Sequence, residues 1–141
     1  MTVPMEYRQA SRDFDAFMLD ARDGAMLQTT NQTYTMVEAV FTVFRRRLSV
    51  PDALLFAEVL PPVLRAIFVS HWDVDEPVRP FDERTAMIRE VKAFRGYHNV
   101  SPDDSIAVVA SALRRHVDAQ VFERTLLRLP AGAADFWQAD R

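Results

Sequence analysis

An apolar stripe that occurs twice constrains this chain more than any other feature. Val37, Val40, Phe41, Phe44 and Leu48 fall at i, i+3, i+4, i+7 and i+11, which sets them on one face of an α-helix. Sixty-nine residues further on the stripe returns as Ile106, Val109, Ala110, Leu113 and Val117. The same offset, without a gap, carries Arg45-Arg46 onto Arg114-Arg115, Leu60-Pro61 onto Leu129-Pro130 and Phe68 onto Trp137. It also carries Ser49 onto Asp118, two residue types that cap helices. Between Asp52 and Val59 the correspondence fades. Agreement of stripe, cap, charge and breaker predicts an internal duplication.

Local signals divide each copy into helices. Thr35 with Glu38 reads as a capping box opening the first striped helix. Ser101 reads as the cap of the second, with Pro102 at its first position and Asp104 three residues past the cap. A helix from about Met5 to Asp23 is expected to stop at Gly24, and one from about Asp82 to Arg95 at Gly96, each glycine free to turn left-handed. Pro61-Pro62 removes two consecutive donors, so the region from Asp52 to Val69 should break near Leu60 and resume at the prolines. Val74 to Val78 alternates like a strand, but Pro77 demotes it to loop. The expected fold is all-α: a single domain of two similar units of three to four helices, related as a pseudo-two-fold repeat. The units cover about 5–72 and 81–139, joined by a polar linker at 73–80. At 141 residues neither half has much core alone, so the striped helices should pack against each other and bury both. Trp72 and Trp137 would close the two copies as core plugs.

Composition removes several function classes. Three glycines, Gly24, Gly96 and Gly132, stand too far apart for a phosphate-cradling loop or a dinucleotide fingerprint. Without cysteine there is no thiolate nucleophile and no cysteine-based metal site. A net charge of −3 is the wrong sign for a duplex binder, so nucleic acid is not an expected partner. The longest apolar region, Ala53 to Val69, is interrupted by Glu58, two prolines and Arg65, which argues against a membrane span. With no signal-like apolar start, the cytoplasm is the expected location.

Few residues could carry chemistry. His71 stands beside Asp73, Asp75 and Glu76, an imidazole–carboxylate mixture that could serve a metal or acid–base site, yet its spacing fits no metal motif. A solvated loop between copies is the expectation there, with neither metal nor cofactor. His98 should lie in a turn and His116 on a helix flank, and no serine has the glycine neighbours of a nucleophile elbow. The paired arginines have two readings. Either Arg46 and Arg115 contact an anionic partner, or the pairs cover apolar surface and meet acids such as Asp13 or Asp82. No catalytic set assembles, so an enzyme is not expected.

The residues Val40-Phe-Thr-Val-Phe-Arg-Arg-Arg-Leu48, Leu60-Pro-Pro-Val-Leu64 and Phe68-Val-Ser-His-Trp-Asp73 form one pattern. Phe81-Asp82, Val109-Ala-Ser-Ala-Leu-Arg-Arg-His-Val117 and Leu129-Pro130 echo it. Over roughly residues 12–137 the chain resembles the bacterial domain-of-unknown-function family 2267, departing from it where Pro62 doubles the usual proline. The resemblance implies an all-helical fold and no particular activity. The expected function is a non-catalytic adaptor whose groove between copies takes a protein partner, or which self-associates. The alternative is a small-ligand binder or enzyme using the cleft between units, with His71, Asp73, Arg46 and Arg115 as contacts.

Overall fold

Thr29 starts the helix around which the molecule is built. Its side chain accepts from the Gln32 backbone N–H at 3.1 Å, and Gln32 reaches back to the Thr29 N–H, a complete capping box. The expected box at Thr35 and Glu38 is therefore wrong by about two turns. Thr35 lies inside the helix and donates its hydroxyl to the Asn31 carbonyl, and Glu38 is buried.

The computed structural model of the protein describes residues 2–139. Its helices are α1 (Met5–Arg8), α2 (Ala10–Gly24), α3 (Thr30–Arg45), α4 (Val50–Ala57), α5 (Pro62–Val69), α6 (Arg84–Ala93), α7 (Ser105–His116), α8 (Ala119–Leu127) and α9 (Ala133–Phe136). A 3₁₀ turn, Gly96–His98, follows α6. Among the described residues there is no strand, and no helix is long and apolar enough to cross a membrane. The all-helical expectation holds.

The two striped helices meet in the centre, and α3 is enclosed by α2, α5, α6 and α7. Every residue from Thr35 to Arg45 is buried, so α3 is covered on all sides rather than along a stripe. Its hydroxyls survive burial by bonding back along the helix: Thr33 to Thr29, Thr35 to Asn31 and Thr42 to the Glu38 carbonyl at 2.8 Å. First helices cross over: α2 packs on α7 as well as α3, and α6 packs on α3. The seam is filled with rings. Trp137 is fully buried, stacks on Phe56 at 5.6 Å and 11°, and meets Phe41, Phe44, Phe122 and Phe136. Trp72 is only half-buried, so one of the two expected plugs is a true core residue.

Helix ends follow the expected chemistry in some places and not in others. Ser49 caps α4 through the Asp52 N–H, and Asp118 caps α8 through Gln120 and Val121. The break at Leu60 is present: α4 ends at Ala57 and α5 begins at Pro62, while Arg65 takes up the freed Ala57 and Leu60 carbonyls. The expected first helix is divided at Gln9, and Gly24 ends α2 without a left-handed turn. Met26 takes that conformation instead, at φ 57°, and a Cβ on Gly24 would come 3.2 Å from Val108. Glycine at 24 serves close packing of α2 on α7. The expected cap of α7 is also displaced. Ser101 donates its hydroxyl to Asn99, whose amide holds the α6 carbonyls Val91 and Phe94, and α7 begins at Ser105. Gly132 turns into α9 at φ 101°, where a Cβ would strike Phe81 at 2.7 Å.

Candidate functional site

Arg45 sits in the last turn of α3, 5% exposed. Its Nη1 donates to the Phe68 carbonyl at 2.8 Å and the Ser70 carbonyl at 3.1 Å, satisfying the end of α5. Its guanidinium lies 5.5 Å from the Trp72 ring. Burial, with neighbouring Arg46, holds its pKa below the usual arginine value. Arg114 does the same work at the other end: it donates to the Trp137 carbonyl and to Glu123, and lies 5.1 Å over Phe122.

The second arginine of each pair meets an acid, though neither Asp13 nor Asp82. Arg46 Nη1 is 3.2 Å from Glu90 and its Nε 3.7 Å from Glu76, while Arg47 Nη2 bonds the same Glu90 at 2.7 Å. Arg79 joins both acids, at 3.1 and 3.2 Å. Arg115 grips Asp20 with two bonds of 2.8 Å, and His116 Nε2 lies 2.9 Å from that carboxylate. Glu90 stands on α6 and Asp20 on α2, the helices beside or on which Asp82 and Asp13 also lie, so the turn that packing brings to each arginine decides its partner. At Glu90 burial alone would raise the carboxyl pKa, but Arg47, Arg46 and Arg79 outweigh it and the net shift is downward. The Arg115 hydrogen bond, against some burial, likewise lowers Asp20.

These contacts also change the view of the linker. Glu76 and Arg79 tie it to α3 and α6, and the Arg79 N–H donates to the Arg46 carbonyl at 2.9 Å. His71 and Asp73 remain exposed, with His71 left-handed at φ 56°. Among the described residues no three metal-ligating side chains converge. His98 lies exposed in the 3₁₀ turn, and His116 is half-buried against the edge of Phe17.

A polar cleft of about 350 Å³ lies where α3, the end of α5, the linker and the end of α6 meet. Glu38, Thr42, Arg45 and Arg46 line it from α3, Ser70, His71, Asp73 and Glu76 from the α5 end and linker, and Phe94 with Arg95 from the far side. It gathers His71, Asp73 and Arg46, three of the expected contacts. Arg115 lines a second cleft of about 320 Å³, with Gly24, Asp104, Ala107, Ser111 and Ala139. Sequence reasoning missed the buried acid of the first cleft. Glu38 is 3% exposed; Arg95 Nη2 lies 2.9 Å from its Oε1 but off the hydrogen-bonding direction, and Tyr34 donates to Oε2 at a long 3.4 Å. Burial, with Glu38 beside it, raises the Tyr34 pKa. One signal was available: the offset of sixty-nine sets Ala107 opposite Glu38, a methyl group in place of an acid.

Residues 14–136 match the model of the family described as "Uncharacterized conserved protein (DUF2267)". The chain belongs to this family. The match runs from Phe14 in α2 to Phe136 in α9, so it takes in the whole lining of the first cleft and ends one residue short of Trp137. No curated protein matches the chain.

Proposed function

We propose that this DUF2267 protein is a cytoplasmic, non-catalytic helical module that holds one small polar ligand in the cleft beside α3. The observation that carries this reading is Glu38: a carboxylate buried in the central helix, with an oxygen that accepts no hydrogen bond, opening on a cleft. A buried acid without a full set of donors is costly, and native proteins keep such groups where they are used. Backbone geometry agrees. Of the three non-glycine residues with positive φ among those described, His71 and Arg95 both line this cleft. Binding rather than chemistry is favoured because, among the described residues, His71 has no side-chain hydrogen-bond partner that would orient it as a base.

The same proposal includes an ancestral duplication, and three features support it. Arg45 donates to the Phe68 carbonyl as Arg114 does to Trp137, sixty-nine residues on in both donor and acceptor. Arg46 and Arg47 meet Glu90 as Arg115 and His116 meet Asp20, each pair reaching the first helix of the opposite unit. The two clefts correspond as well, Ala107, Ser111, Arg115 and Ala139 standing for Glu38, Thr42, Arg46 and Ser70. The second cleft has alanine where the first has the buried Glu38, and its one acid, Asp104, is exposed, so one ligand per chain is expected. Screening a library of small charged molecules by protein-observed NMR tests this. Amide shifts should gather at Ser70 to Asp73 and at Arg95 to Gly96, with 1:1 stoichiometry; hits confined to other surfaces, or equal response at Ala107 to Ser111, would remove the reading.

An adaptor role is the competing reading, and the ring-filled centre of the seam favours a partner site elsewhere on the surface. An apolar depression bounded by Phe14, Met18, Leu19 and Tyr34 between α2 and α3 is where a partner's amphipathic helix would have to lie. Light scattering of the protein and of Leu19→Asp separates self-association from this reading: the adaptor proposal expects a monomer in both.

A further inference from the structure

Arg95 closes one side of the cleft from a backbone conformation that suits glycine. Its φ is 61°, and Gly96 after it is left-handed too, at 54°. Arginine is an expensive way to end a helix there, because its Cβ crowds the backbone oxygen. The side chain is about half exposed and forms an ion pair with Glu38 and no other acid among the described residues. Its partner is the opposite kind of group, a carboxylate 4% exposed and fixed in the buried middle of α3. Of the cleft's other arginines, Arg46 is paired with Glu90 and Glu76, while Arg45 gives its donors to the carbonyls of Phe68 and Ser70 and keeps its charge. Among the described residues Asp73 has no ion pair. Once Arg95 swings into solvent, the lining sets three acids, Glu38, Asp73 and Glu76, against two arginines, Arg45 and Arg46, so its net charge is negative and includes a buried acceptor.

We propose, on the footing that this cleft is the ligand site, that the ligand enters by a cationic nitrogen group, an ammonium or guanidinium, which replaces Arg95 at the Glu38 carboxylate. Arg95 is then a tethered substitute for the ligand's own charge. It keeps Glu38 compensated while the cleft is empty, and it weakens binding by the fraction of time it occupies the acid. Asp73, on the rim, adds attraction for a cation approaching from solvent.

Calorimetric titration of the whole chain with methylguanidinium and with n-butylammonium, using acetate as the anionic control, tests the proposal. The unaltered protein should bind both cations. Arg95→Gly, which suits the left-handed backbone, should bind them about tenfold more tightly because the competing group is gone. Glu38→Gln should abolish binding, and acetate should bind none of the three proteins. Should Glu38→Gln fail to fold, amide shifts at Arg95 and Gly96 on adding methylguanidinium to the unaltered chain give the same information. Binding by Arg95→Gly alone, with none by the unaltered protein, would mark Arg95 as an ordinary structural partner and overturn the proposal. Acetate binding that survives Glu38→Gln would overturn the cationic class while leaving the cleft as a ligand site. Silence from every probe in every variant would remove both.

Discussion

At the scale of single residues, the molecule is organised by arginines that finish what the helices leave open. Arg45 and Arg114 supply donors to carbonyls at the ends of α5 and α9, and Arg65 does so at the break after α4. Glu90 is the most heavily used acid, shared by Arg46, Arg47 and Arg79. Its folded-state pKa is depressed, so its contribution to stability is present above its unfolded value of about 4.3 and is lost as pH falls through the folded value. Glu90→Gln is therefore expected to cost about 2 kcal/mol at pH 7. Urea titrations should show that difference shrinking as the pH falls below the unfolded value of about 4.3, where the unfolded chain takes up the proton before the native carboxylate does. A difference that stays constant down to pH 2.5 would contradict the assignment. Asp20, gripped by Arg115 and His116, acts in the same direction.

At the scale of elements, the readable parts of the fold were those whose chemistry is local. Ser49 and Asp118 are caps in fact as in pattern, because a side chain and an N–H two or three residues away need no tertiary context. Asp118→Ala should destabilise the protein by about 1 kcal/mol, measured by thermal or urea unfolding. An unaltered midpoint would mean that packing alone holds the start of α8. The prolines broke the chain at Leu60 for an equally local reason, since the missing donors cannot be restored from elsewhere. Other ends went astray where a competing local bond existed. Thr29 and Gln32 outbid Thr35 and Glu38, and Asn99 took the Ser101 hydroxyl that would have capped α7. Gly24 does end α2, but without the left-handed turn; a Cβ there would meet Val108, a long-range fact.

At the scale of the whole molecule, neither half can be assigned a core of its own. Trp137, the last ring of the second half, stacks on Phe56 of the first, and the first helix of each half lies on the striped helix of the other. Such interleaving predicts one cooperative transition. Calorimetry should give a single peak, with tryptophan fluorescence and far-ultraviolet circular dichroism coincident. Leu113→Ala, which hollows the buried face of α7, should lower that whole transition by the equivalent of about 3 kcal/mol. Two separated transitions would mean that the halves are independent. From the sequence alone came the helical class, the doubled stripe, the arginine pairs, the proline break and three of the residues that line the cleft, because periodicity and caps act within a few residues. The crossing of α2 and α6 onto opposite units, the acids that meet the arginines and the burial of Glu38 were decided by tertiary structure. They depend on which surfaces exclude water together, and no short window of sequence records that.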